Sequence, residues 1–182
     1  MKKRNNQRGL TLLEMLITVF LSGVLMTAGL SFYSSMQSQT TSQMELSNVQ
    51  SICRCSVDDI KSSLRDAGFM LTTHDAFYIN GDTLMVYYKN DSLVDTIGYF
   101  LAGTDDDDDD RETQTFQLMK RNSDGSVSIY ADNIVSIGYQ QVGSNRVEVS
   151  ITAQSELRDD AYRFNNGYRR YSLTEEVCLR NI

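Results

Sequence analysis

Apolar and polar positions recur at two different periods along this chain, and the change between them falls at Gly68. From Leu10 to Tyr33 the residues are almost all apolar, with Glu14 the one charge inside the run. The polar positions there, Thr11, Thr18, Ser22, Thr27 and Ser31, carry small hydroxyls that can bond back to helix carbonyls. About 24 residues at ~1.5 Å rise reach ~36 Å, enough to cross a ~30 Å hydrocarbon core. From Ser31 to Ala67 the chain has neither Gly nor Pro. Val49, Ile52, Cys53, Ile60, Leu64 and Ala67 fall there on one helical stripe, with Leu46 at its edge. One continuous helix through both stretches is predicted, ending at Gly68.

Beyond Gly68 the period becomes two. Short strands are predicted near 76–79, 83–89, 93–102, 114–121, 126–130, 134–142, 147–153 and 168–178. Asn80-Gly81-Asp82, Asn90-Asp91, Ser123-Asp124-Gly125 and Gly143-Ser144-Asn145 supply turn chemistry between them. The clearest alternation is Val147, Val149 and Ile151 against Arg146, Glu148 and Ser150. The expected fold class is therefore α+β, a long N-terminal helix packed on an antiparallel β-sheet. Its helix has a membrane half (10–33) and an amphipathic half (34–68), followed by a β head (69–182).

The first stretch does not read as a secretory signal peptide, because the apolar run is too long and no Ala-x-Ala-like site ends it. A plain membrane anchor fits the length, and the basic flank of Lys2, Lys3, Arg4 and Arg8 would stay cytoplasmic. That reading leaves Glu14 unexplained. An acidic residue in such a helix costs at least a few kcal/mol and marks a functional position.

Gly9-Leu10-Thr11-Leu12-Leu13-Glu14-Met15-Leu16 resembles the type III signal of type IV prepilins and type II secretion pseudopilins: a basic leader, Gly, then an apolar segment with Glu at its fifth position. The resemblance implies removal of residues 1–9 by a prepilin peptidase between Gly9 and Leu10, then N-methylation of Leu10. It also implies the pilin fold and assembly through the N-terminal helices. Here Leu follows the cut where Phe is usual. The helix-bending proline often found at the position of Ser31 is absent, since the chain has no proline. Buried among packed helices, Glu14 needs a cation or a proton, and the Leu10 amine of its own or a neighbouring chain is the nearest cation. Such pairing would set axial register. The segment from Asp58 to Phe69 and the ending from Tyr168 to Asn181 are similar to minor pilins of the PilW kind and J-type minor pseudopilins. The partners so implied are other minor pilins, the major pilin, the peptidase and the inner-membrane assembly platform. The head would lie in the periplasm.

Charge narrows the picture further. Without Lys2, Lys3, Arg4 and Arg8, the 17 Lys+Arg become 13 against 24 Asp+Glu, so the side chains sum to −11. Nucleic-acid binding needs a basic face and is not expected. With one histidine, His74, in a loop, there is little material for acid–base or metal chemistry. No Ser/His/Asp set, phosphate-cradling glycine loop or paired carboxylates in an apolar stretch is present, so neither an enzyme nor a cofactor is expected. Asp105–Asp110 is a run of aspartates without the bend and spaced ligands of a calcium loop, and reads as solvated. Tyr162, Tyr168 and Tyr171 with Arg158, Arg163, Arg169 and Arg170 suit a partner surface, or strand residues with alternate faces exposed.

Three cysteines complete the inventory. Outside the cytoplasm a pair could oxidise. Cys53 lies on the apolar stripe and Cys55 opposite its centre. The pattern favours a Cys53–Cys178 disulfide with Cys55 free; Cys55–Cys178, or three reduced thiols, are the alternatives. The function these features favour is a minor pilin or pseudopilin serving initiation or tip assembly of a type IV pilus or type II secretion pseudopilus. A membrane-anchored binding module with an uncut Gly9 is the competing class.

Overall fold

A computed structural model describes residues 11–71, 75–90, 93–103, 114–159 and 162–181. The chain divides into two compact units, 1–43 and 44–182. Helix α1 runs Leu12–Asp66, and seven strands follow: β1 Phe77–Asn80, β2 Thr83–Asn90, β3 Leu93–Gly103, β4 Phe116–Arg121, β5 Val127–Gln141, β6 Arg146–Gln154 and β7 Arg170–Cys178. A three-residue 3₁₀ turn, Asn165–Gly167, precedes β7. The strands form one antiparallel sheet in chain order, β1 to β7. This is the α+β architecture expected from the change of period, a helix packed on an antiparallel sheet.

Within the second unit, the C-terminal part of α1 buries Val49, Cys53, Val57, Ile60 and Leu64, and Ala67 is buried just after it. Each aliphatic side chain so removed from water contributes about 1.5–3 kcal/mol. The sheet supplies the other half of this core. In β6, Val147, Val149, Ile151 and Ala153 point inward, while Arg146, Glu148, Ser150 and Thr152 are at least partly exposed. Val147 faces Val177 of β7 in register, and Ile151 lies between Ile137 of β5 and Leu173 of β7. These cross-strand pairs turn a period-two pattern into one apolar face.

Local chemistry sets the turns. Asn80 pairs with Thr83, leaving Gly81-Asp82 as a two-residue hairpin loop in which Gly81 takes φ 58°. Gly68 ends the helix with φ 76°, and a Cβ there would lie 2.7 Å from the Asn181 carbonyl oxygen. Its N–H bonds the Tyr87 carbonyl at 2.9 Å, so the end of α1 is tied to β2. Asn181 donates its side-chain amide to the Arg65 carbonyl at 3.2 Å, satisfying one of the last helix acceptors.

The sequence places two strands at 126–130 and 134–142, whereas the structure has one, β5. Asn133 takes φ 59° and makes a bulge rather than a turn. Residues before it pair mainly with β4 and residues after it with β6. The bend is absorbed while the ladder continues.

Candidate functional site

The first described residues carry a local arrangement that the sequence reading passed over. Thr11 and Glu14 form a reciprocal capping box at the start of α1. The Thr11 N–H and hydroxyl donate to Glu14 Oε2 at 2.9 and 3.1 Å. The Glu14 N–H returns a bond to Thr11 Oγ1 at 3.3 Å. The spacing Thr-x-x-Glu before an apolar run is the sequence signature of this motif, so the signal was there to be read. Its effect is to satisfy otherwise orphaned N–H groups and to hold the carboxylate against the amide of residue 11. Gly9 and Leu10 lie outside the described residues.

Downstream, every residue from Thr11 to Thr41 is exposed. Leu12, Leu13, Val19, Phe20, Leu25, Met26, Leu30 and Phe32 are among them, with Leu12 83 % and Met26 74 % accessible. A contiguous apolar surface of this extent is unstable in water and calls for lipid or packed neighbours. The helix is long and apolar enough to cross a membrane. Thr18 bonds back to the Met15 carbonyl and Thr27 to that of Gly23, each at 2.8 Å, and Ser22 bonds to Thr18 in the same way. The hydroxyls in the apolar run therefore consume their own polarity along the helix.

The predicted disulfide does not form. All three cysteines are free thiols. Cys53 is buried, with Sγ 3.6 Å from the Tyr171 carbonyl oxygen. Cys178 lies seven residues further along β7, roughly 23 Å of extended chain. A disulfide needs Cα atoms within about 7 Å. Direction forbids it as well as distance: Val177 and Leu179 are buried, so the pleat turns Cys178 to the opposite, exposed side. Burial pushes the Cys53 thiol pKa up, which disfavours its reactive thiolate.

In the head, the structure assembles a polar cluster with no sequence motif behind it. The Tyr99 hydroxyl of β3 donates to Asp59 Oδ2 of α1 at 2.5 Å and lies 2.8 Å from Ser63 Oγ. Lys120 of β4 pairs with the same Asp59 oxygen at 2.7 Å, and its ammonium sits 5.5 and 5.6 Å from the Tyr99 and Tyr130 ring centres. Burial, then the hydrogen bond to Asp59, holds the Tyr99 pKa far above the ordinary phenol range. Every member has a partner, so the cluster can tie helix to sheet at low cost. A second tie joins Lys61 of α1 to Glu175 of β7 at 2.6 Å.

Of the remaining candidates, His74 and Asp105–Asp110 lie outside the described residues. Among the described residues no group of three or more His, Cys, Asp or Glu could hold a metal ion. Arg169 bonds Asp159 at 2.8 Å and stacks over Tyr162 at 4.8 Å, so this part of the Tyr/Arg set stabilises its own loop.

Residues 4–30 match the family described as the prokaryotic N-terminal methylation motif. No curated protein and no solved structure matches the chain. The matched stretch contains Gly9, Leu10 and Glu14 and opens the apolar run. It supports a type IV pilin-like protein, anchored by its N-terminal helix, of a structural kind that assembles with other pilins after prepilin peptidase processing.

Proposed function

We propose that this protein is a minor pilin or pseudopilin, held in the inner membrane with its head in the periplasm and then built into the base or tip of a filament. The observation that supports this reading is Glu14 standing at the head of a helix whose apolar side chains are exposed from Leu12 onward. In lipid or in a packed helical core, an ionised carboxylate there is costly without a cation. Cleavage between Gly9 and Leu10 would create one, because the new Leu10 amine is adjacent in sequence to Thr11, whose amide already holds the Glu14 carboxylate. An amine from the same or a neighbouring subunit could then complete the pair and set axial register. The partners on this reading are other minor pilins and the major pilin through α1, with the prepilin peptidase and the inner-membrane assembly platform acting beforehand.

Mass spectrometry of the mature N-terminus tests the reading directly. A methylated Leu10 is expected. Retention of Met1 would overturn it in favour of a tethered binding module. The Glu14→Ala protein should be cut normally yet fail to enter filaments, and normal incorporation would refute the register role. Proteins recovered with the full chain from membranes distinguish a type IV pilus from a type II secretion pseudopilus.

A further inference from the structure

A cleft of about 460 Å³ opens on the outer face of the sheet, where β1, β2 and β3 meet, and Asp75, Tyr78, Tyr87, Val94 and Thr96 line it. Its volume is within the range of small-molecule sites. Strand alternation brings these side chains together. Phe77 and Ile79 of β1 and Leu84 and Val86 of β2 pack into the core, so Tyr78 and Tyr87 stand on the opposite face. Tyr78 pairs with Met85, which makes Tyr87 its diagonal neighbour across the ladder. Thr96 lies directly opposite Tyr87 on β3, with Val94 two residues away on the same face.

The backbone of Tyr87 is held from both sides. Its N–H donates to the Ala76 carbonyl at 2.9 Å, and its carbonyl accepts from the Gly68 N–H at 2.9 Å. The first bond also anchors the chain beside Asp75, an exposed residue of the lining. Diagonal neighbours on a ladder stand about 7–8 Å apart. Among the described residues the two tyrosine rings make no contact with each other, and no side chain bonds the Asp75 carboxylate. A cation placed between the rings could therefore lie within ~6 Å of both ring centres, with a carboxylate at hand. Lys89 stands across from Val94 on the same face. Among the described residues its ammonium makes no cation–ring contact and no ion pair, and Lys89 lines the adjoining cleft with Ser62 and Asp66.

We infer that this cleft binds a quaternary ammonium group, the trimethylated head of a small organic cation. The ring quadrupoles of Tyr78 and Tyr87 attract its charge, and Asp75 supplies the counter-charge. Val94 and the Thr96 methyl suit its methyl groups. Having no N–H, such a group asks for no hydrogen-bond acceptors. A primary ammonium is more strongly hydrated and carries three donors, which two rings do not satisfy. The inference is independent of filament assembly, since it concerns only the head.

The test uses the full chain in a maltoside detergent, which carries no ammonium group, and follows choline by saturation-transfer NMR. Dimethylbutanol, the uncharged isostere of choline, n-butylammonium and potassium chloride serve as comparisons. Saturable binding of choline is expected, with no binding of the isostere, weaker binding of n-butylammonium and no displacement by potassium chloride at equal ionic strength. Tyr78→Leu and Tyr87→Leu should each weaken choline binding about threefold, the scale of one exposed cation–ring contact. Asp75→Asn should weaken it by about the same factor. Asp132→Asn, at an exposed carboxylate of β5, should leave it unchanged, which separates the site from the general pull of a chain of net charge −7. The Tyr78 side chain is 55 % exposed, so Tyr78→Leu keeps the test valid should Tyr87→Leu unfold, as thermal unfolding would show. Absence of saturable choline binding, or equal affinity of the parent and Tyr78→Leu proteins, would overturn the inference. So would the isostere or n-butylammonium binding as tightly as choline, or displacement of choline by potassium chloride.

Discussion

Tyr99 and Asp59 meet at 2.5 Å, joining β3 to the helix. Ser63 Oγ lies 2.8 Å from the same hydroxyl, and Lys120 pairs with the same carboxylate oxygen. The cluster therefore specifies how α1 lies on the sheet as well as adding to its attachment. Removing the hydroxyl alone leaves Ser63 buried without this partner. Tyr99→Phe should cost about 1–3 kcal/mol. In thermal unfolding that corresponds to a fall of roughly 2–4 °C per kcal/mol for a domain of this size.

The same burial has a consequence in base. Tyr99 and Tyr139 both have pKa values raised by burial well above those of the unfolded chain. A raised folded-state pKa means that the unfolded chain releases its proton first. The stability from these groups is thus fully present below the unfolded value of about 10 and is lost as pH rises above it. Unfolding midpoints should fall above pH ~10, and the Tyr99→Phe, Tyr139→Phe double variant should show a flatter decline. Absorbance titration should find two of the ten tyrosines resisting ionisation until the fold is lost.

Gly68 is held tightly against the backbone of the C-terminal segment. Its left-handed φ and the 2.7 Å approach of the Asn181 carbonyl to a notional Cβ leave no room for a side chain. Gly68→Ala should destabilise the protein by more than the ~1 kcal/mol of a left-handed alanine, because the C-terminal segment must also move. Urea unfolding measures this, and a change below ~0.5 kcal/mol would show that the contact relaxes freely.

Thiol chemistry should follow the pleat of β7. Iodoacetamide should label Cys55 and Cys178 in the folded protein, and Cys53 only after denaturation, since the first two are exposed and the third is buried. Peptide mapping without reductant should find no Cys53–Cys178 cross-link. Recovery of that cross-link from folded protein would require a different register for β7.

The capping box predicts a graded effect at the N-terminus. Thr11→Val removes the hydroxyl that caps α1 and orients Glu14, at about 1 kcal/mol, while Thr11→Ser retains it. In a filament incorporation assay, Thr11→Val should be weaker than the parent and milder than Glu14→Ala. Equal incorporation of Thr11→Val and the parent would remove Thr11 from any part in positioning the carboxylate.

How far these features could be read in advance depends on the range over which each is set. The apolar stripe from Val49 to Ala67, the stop at Gly68, the alternation in β6 and the Gly9–Glu14 signature are written in neighbours a few residues apart, and the sequence by itself determined them. Thr11 with Glu14 belongs to the same class, although its meaning as a cap was overlooked beside its meaning as a signal. Tertiary structure alone decided that Asp59 meets Tyr99 and Lys120, because no local pattern links positions 40 and 61 residues apart. It decided that Asn133 bends one strand instead of ending it, because the ladders to β4 and β6 hold the chain extended on both sides of the kink. It also separated Cys53 from Cys178, because where β7 lies along the helix sets how far its far end reaches, and the pleat then turns the thiol away from the core.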